Sequence, residues 1–388
     1  MHDLVLKMRK FVAPEFVFGE GALELTGRYA RNLGAKKVLL VTDEKLIEHG
    51  WPDLVRESIE AKGLGTVLFK EVSPNPRDHE VMAGAEVYDR EGCDAIVAVG
   101  GGSPMDLAKA VGIVSTNKKN ILEFEGVDKV DKPGPPLVCV PTTAGSSADV
   151  SQFAIITDTD RKVKIAIVSK TMVPDAALID PLTTFSMDAE LTANTGMDAL
   201  THAVEAYVSN ANSPVTDLFA LEAVRRVSQC LPAAVRRPSD NLARGGMMLG
   251  SMYAGMAFTN AILGAVHAMA HSLGGLSDLP HGLCNAILLD HVVGANFMHA
   301  GDRYVELARA MGAEIPDKSG EDVKRSLVLD TFRNFKAEVG VTARLSDLGV
   351  KSEDLAELAR LAACDPCMHT NPCEKTAEEI LEIYEQAL

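Results

Sequence analysis

The stretch Cys93-Asp94-Ala95-Ile96-Val97-Ala98-Val99-Gly100-Gly101-Gly102-Ser103-Pro104-Met105-Asp106-Leu107-Ala108-Lys109 decides how the first half of this chain folds. Its unbroken run of small and β-branched residues reads as a strand buried on both faces. Three glycines end the run, and a helix reads from Ser103 to Ser115, with Pro104 suited to the first turn. Glycines let a backbone approach a ligand closely, and free amides at a helix start favour phosphate. The motif is not the usual dinucleotide fingerprint: Met105 stands where a third glycine would be, and the turn follows the third strand of the chain. Nor is it a P-loop, because Gly-Lys-Ser/Thr is absent.

Outward from that turn the pattern alternates. Strands read at 36–43, 66–69 and 136–141, with helices at 44–62 and 78–91 between them. Strands alternating with helices predict a parallel sheet covered on both faces. Arg161–Val168 and Ala176–Asp180 read as further strands. From about Asp188 strand signals fade, and Ala, Leu, Met and Glu dominate. Helix starts read at Thr192, Ser213 and Ser352, with Pro232 and Pro238 as punctuation. The expected fold class is α/β. An N-terminal dinucleotide-binding parallel-sheet domain (1–184) precedes a C-terminal all-helical metal-binding domain (185–388), with the boundary near Pro181–Ser186.

The chain has 388 residues, enough for two such domains. Its 38 basic and 54 acidic side chains leave a net charge of -16, which argues against nucleic acid or an anionic membrane as partner. An anionic cofactor must then be held by local backbone amides. The seven cysteines are odd in number and sit mostly in apolar runs, so reduced thiols in a cytoplasmic protein are expected. The opening MHDLVLKMRKF carries no secretory h-region, and no apolar run reaches the roughly 18 residues of a membrane span.

Two strand ends add to the glycine turn. Asp43 ends the first strand, where a carboxylate can accept both hydroxyls of an adenosine ribose and repel a 2′-phosphate, favouring NAD over NADP. Its competing role is a helix N-cap. Pro141-Thr142-Thr143-Ala144-Gly145-Ser146-Ser147 ends the fourth strand, where ligands bind in open α/β sheets.

The helical half carries a different chemistry. Gly264-Ala265-Val266-His267-Ala268-Met269-Ala270-His271-Ser272-Leu273-Gly274-Gly275 puts two histidines one helical turn apart in small, apolar surroundings. Pro280-His281-Gly282 offers a third histidine in a turn, and Asp198 and His202 form another i,i+4 pair. One Asp with three His makes a mixed oxygen/nitrogen site for a divalent metal. Core histidines satisfied by backbone carbonyls are the alternative for any one of them alone.

The motifs GGGSPMDLAKA, PTTAGSS, TGMDALTHAVEAY, AGMAFTNAILGAVHAMAHSLGG and LPHGLCNAILL, in this order, resemble those of the iron-containing (group III) alcohol dehydrogenases over roughly residues 10–388. The resemblance implies a dinucleotide domain, a helical metal domain and a cleft between them. It implies Asp198, His202, His267 and His281 as ligands of Fe(II), with zinc or another divalent ion possible. His271 would lie beside the metal as the candidate proton relay. Asp43, Gly100, Gly101, Gly102, Ser103, Asp106, Thr142, Thr143, Ser146 and Lys164 would line NAD. The implied activity is hydride transfer between nicotinamide C4 and a small primary alcohol or its aldehyde, in a homodimer or larger assembly. A small acidic aldehyde or a diol on the same fold is an alternative substrate, and a lyase of the dehydroquinate synthase kind a more distant one. The chain departs from the family at Gly145-Ser146-Ser147-Ala148-Asp149, at Leu276 and Ser277, and at Thr370-Asn371-Pro372-Cys373, where relatives often carry Arg after the proline. Cys364, Cys367, His369 and Cys373 resemble a second zinc site only loosely, since one residue between Cys367 and His369 is tighter than usual spacings. Met247, Met248, Met252 and Met256 are expected in the core, and His291 and His299 in structural or exposed positions.

Overall fold

The fully apolar strand before the glycines lies at the centre of the larger sheet. A computed structural model describes residues 8–388. The chain divides into a sheet unit, Val12–Met187, and a helical unit, Asp188–Leu388, which also takes in the described residues up to Phe11. In chain order the strands are β1 (Glu15–Phe18), β2 (Lys37–Val41), β3 (Gly65–Phe69), β4 (Ala95–Gly100), β5 (Gly126–Val127), β6 (Leu137–Pro141), β7 (Phe153–Asp158), β8 (Val163–Val168) and β9 (Ala176–Ile179). Six of them form a parallel sheet in the order β1-β9-β6-β4-β2-β3. Alternate residues supply the two faces. Leu39, Val41, Ile96 and Ala98 join one apolar layer, and Val38, Leu40, Val97 and Val99 the other.

Helices α1 (Thr26–Asn32), α2 (Glu44–Glu48), α3 (Trp51–Glu60), α4 (Asp78–Glu91) and α5 (Gly102–Asn117) belong to this unit. The single helix expected over 44–62 is two, because Gly50 turns left-handed at φ 79° between them. β3 lies on one side of β2 and β4 on the other, so the strand order reverses there. The crevice at the carboxyl ends of β2 and β4 is therefore the place where such sheets take a ligand. β1, β5 and β7 were not expected, nor was the small second sheet, β5-β8-β7, in which β7 and β8 run antiparallel.

The helical unit contains α6 (Ala189–Val208), α7 (Pro214–Arg236), α8 (Asn241–Ala261), α9 (Ala265–Ser277), α10 (His281–Ala310), α11 (Glu321–Glu338), α12 (Leu355–Ala363) and α13 (Ala377–Ala387). α6 starts earlier than the expected Thr192. Asp188 caps it by accepting from Leu191 N, and the Thr192 hydroxyl donates back to Asp188 O at 2.6 Å. Ser213 caps α7 as expected, but Pro232 lies inside that helix without ending it. Ser352 opens a short 3-10 turn that leads into α12. Met247, Met248, Met252 and Met256 are all buried. α8 and α9 meet at 99° through Ile262, whose φ of 61° and ψ of -172° are backbone values favoured only by glycine. No single helix among the described residues is long and apolar enough to cross a membrane.

Candidate active site

Three helices bring the metal-type donors together. α6 carries Asp198, α9 carries His267, and His281 is the first residue of α10, not part of a free turn. One ligand atom from each of Asp198, His267 and His281 lies within 4.8 Å of the others. The Asp198 carboxylate oxygen stands 3.8 Å from His267 Nε2 and 3.9 Å from His281 Nε2. Two donors bound to one ion at about 2.1 Å each can be at most about 4.2 Å apart, so both spans fit. His202 lies outside this trio. Its ring stacks on His267 at 4.5 Å between centroids and on Phe258 at 4.3 Å.

The donor set is rich in lone pairs and poor in protons. His267 Nδ1 is committed to the Glu205 carboxylate at 2.6 Å, so its Nε2 offers a lone pair. The Asn285 amide nitrogen is 2.7 Å from Asp198 Oδ1, 3.1 Å from His267 Nε2 and 3.3 Å from His281 Nε2. An amide has two protons for these three acceptors. A buried cluster of that kind suits a cation, and the mixed O/N set suits Fe(II), zinc or another divalent ion. Asp198 and His267 are buried, whereas the His281 side chain is 27% exposed, so the cluster opens to solvent on the His281 side.

His271 faces the same cluster without joining the trio. Its ring stacks on His281 at 5.4 Å and meets His267 edge-on at 6.1 Å. Its Nδ1 is 2.9 Å from Asp365 Oδ2. Burial pushes the Asp365 carboxyl up, but the facing His271 and hydrogen bonds from Cys367 outweigh it and hold the group below the usual carboxylate value. Burial pushes the Glu205 carboxyl up to about 7, against three N–H groups that favour the charge. Cys364 is exposed and Cys367 buried, and the loose zinc pattern does not converge: no three of Cys364, Cys367, His369 and Cys373 form a ligand group among the described residues.

In the sheet unit the glycine turn packs against the hydroxyl-rich loop after β6. A Cβ on Gly101 would stand 3.1 Å from Thr143, and one on Gly102 3.0 Å from Ser146. Gly100 has φ 154°, and a Cβ there would meet Pro104 at 2.6 Å. Thr142 N donates to Gly100 O at 2.9 Å, which ties the two loops together. Asp43 caps α2, accepting from Leu46 N at 3.1 Å, at the carboxyl end of β2 beside the sheet's reversal. The Ser103 hydroxyl donates to Pro74 O. Asp106 accepts from Ile155 N at 3.1 Å, and burial pushes its carboxyl up to about 6. Lys164 sits across the β7–β8 ladder from Thr157, and its charge reaches Asp106. Asp43, the glycines, Thr142, Thr143 and Ser146 thus gather at one edge, while Ser103, Asp106 and Lys164 also tie neighbouring segments in place.

Two family models match this chain. "Iron-containing alcohol dehydrogenase" matches residues 13–181, and "Fe-containing alcohol dehydrogenase family, C-terminal" matches residues 192–388. The chain belongs to the iron-containing alcohol dehydrogenase family. Among the relatives of this iron-containing alcohol dehydrogenase, the 1,3-propanediol dehydrogenase of Citrobacter freundii is 42% identical over 95% of this chain and 96% of its own. The NAD-dependent methanol dehydrogenase of Bacillus methanolicus is 38% identical over 97% and 99%. A solved structure of a 1,3-propanediol oxidoreductase superposes with a TM-score of 0.95 at 40% identity, covering 98% of this chain and 100% of that one.

Four residues of this alcohol dehydrogenase escaped the sequence reading. Glu205 and Asp365 each hold a histidine of α9, and Asn285 faces the donor trio. Lys109 is buried and donates to Ser151 O, Ser151 Oγ and Phe153 O, which pins the segment after the hydroxyl loop. Spacing held a signal for two of them. Glu205 is seven residues after Asp198 on the same helix face, and Asn285 is four after His281.

Proposed function

We propose that this iron-containing alcohol dehydrogenase interconverts small, uncharged primary alcohols or diols and their aldehydes, with NAD(H) and a divalent ion, Fe(II) first. The observation that carries the metal reading is the convergence of Asp198, His267 and His281 donors from three helices. These three would hold the ion, and His202, stacked on His267, would join them by rotating its ring. Bound there, the ion would polarise the substrate oxygen, and the nicotinamide would supply or accept hydride. Asp198, His202, His267 and His271 are buried, which limits water around the donors. Relatives 42% and 38% identical, named as a 1,3-propanediol dehydrogenase and a methanol dehydrogenase, support a neutral alcohol or diol as substrate. Gly100, Gly101, Gly102, Thr142, Thr143 and Ser146 would line the dinucleotide phosphates, with Ser103, Asp106 and Lys164 close by. We further propose a cytoplasmic location, on the free thiols, and a homodimer or larger assembly. Anaerobic purification, metal analysis and a panel of alcohols and aldehydes followed by NADH absorbance test the reading. Stoichiometric metal with no turnover on any neutral substrate would contradict it.

His271 is proposed to move the proton. Asp365 accepts its Nδ1–H, leaving Nε2 to exchange a proton with substrate or water. In oxidation the neutral ring accepts the proton released by the alcohol. His271→Ala is expected to lower kcat about a hundredfold while metal content stays the same. Asp365→Asn should act in the same direction more weakly. An unchanged rate in His271→Ala would end the relay idea.

Asp43 tests the cofactor preference. Asp43→Ser keeps a helix cap but removes the carboxylate. Discrimination against NADP is expected to fall about tenfold or more, with little change in thermal stability. Should Asp43 serve only as a cap, the ratio of kcat/KM for the two cofactors will not move.

A further inference from the structure

We infer that Glu205 is a positioning residue of the metal centre: its buried carboxylate holds His267 with the proton on Nδ1 and keeps Nε2 open towards Asp198 and His281. The inference rests on the metal reading above. The Glu205 side chain is 5% exposed and engages three N–H groups. Its Oε1 accepts from Val266 N at 2.6 Å, and its Oε2 accepts from Gly264 N at 3.1 Å and from His267 Nδ1 at 2.6 Å. The two amides belong to the start of α9, so the carboxylate sits where the helix offers free donors and a positive dipole end.

This seat is built for a carboxylate. A Cβ on Gly264 would lie 3.0 Å from Glu205 Oε1 and 3.0 Å from Asn371 Oδ1, so any other residue there crowds the oxygen. Asn371 Oδ1 in turn accepts from Ala265 N at 3.2 Å. The first turn of α9 is thus fixed by two side chains from distant parts of the helical unit. Glu205 and Asp198 share α6, so one helix supplies both a metal-type oxygen and the brace for the facing imidazole. A carboxylate on Nδ1–H fixes the ring's tautomer and orientation and strengthens Nε2 as a donor to a cation. Glutamine cannot do this. It has one acceptor oxygen, and its NH2 would face one of the three N–H groups now directed at the carboxylate.

The test uses zinc alone. Wild type, Glu205→Gln, Glu205→Asp and His267→Ala are freed of metal and titrated with Zn(II) against a chromophoric chelator, and apoprotein stability is measured alongside. Glu205→Gln is expected to bind zinc about 10- to 100-fold more weakly and to lose it faster to excess chelator. Glu205→Asp, which keeps the charge, should recover part of that loss. Nitrogen-15 NMR of the apoproteins should show the Nδ1–H form of His267 in wild type and a mixture in Glu205→Gln. If Glu205→Gln binds zinc as wild type does while His267→Ala does not, the positioning role is overturned and the metal centre stands. A lower apoprotein melting temperature with unchanged zinc affinity also overturns it, since Glu205 would then serve the helix alone. If wild type binds zinc no better than His267→Ala, the metal centre itself is wrong and the inference falls with it.

Discussion

His267→Ala is expected to yield a folded chain that holds no stoichiometric metal and turns over about a thousandfold more slowly. The rate estimate follows from losing several kcal/mol of charge stabilisation at the substrate oxygen. Two consequences are bound together in this residue. Its Nε2 belongs to the donor trio, and its Nδ1 is one of the N–H groups around the buried Glu205 carboxylate. Removing the ring therefore also costs about 1–2 kcal/mol of fold stability through a carboxylate with one donor fewer. His281→Ala separates the effects. That side chain is 27% exposed, so its loss should abolish metal retention with a smaller change in melting temperature. Metal analysis after anaerobic purification, steady-state NADH formation and thermal unfolding check both variants. Wild-type metal content in either one would remove that residue from the ligand set.

Gly282→Ala is expected to be the most damaging single methyl in the helical unit. A Cβ at Gly282 would lie 2.5 Å from the carbonyl oxygen of Asn194 and 3.0 Å from its carbon. These are backbone atoms of α6, so no side chain can swing aside. The two helices must part, and His281 and Asn285 on α10 must then withdraw from Asp198 on α6. A cost of about 3 kcal/mol is expected, lowering the melting temperature by roughly 6–10 °C. Weaker metal retention should accompany it. Gly320→Ala is the control, since a Cβ there meets nothing within 4 Å. Equal melting temperatures for the two variants would show that the helix approach is not as tight as the structure has it.

The parts legible in the sequence were those whose burial is complete. β2, β4 and β6 read as strands because both faces are covered and nearly every residue is apolar. β1 escaped because it is a half-exposed edge strand of four residues, with Phe16 and Phe18 partly in solvent. β7 escaped because its partner is a hairpin neighbour in a separate small sheet, which the βα alternation does not announce. The same division runs through the site. The i,i+4 pairs on α6 and α9 were visible as local periodicity. Their pairings were not, since Glu205 lies 62 residues from His267, Asp198 87 from Asn285, and His271 94 from Asp365. No local pattern carries pairings of that length.

Those separations bear on when the ion can enter. Closing each of these long loops costs entropy before any contact between their ends gives a return. A free cation meeting the unfolded chain would find His267 and His281 only 14 residues apart, but Asp198 lies 69 residues before the nearer of them. Metal capture therefore follows assembly of the bundle instead of seeding it, and the helices must already be in register when the ion arrives. Loading then becomes a separate, late step of maturation.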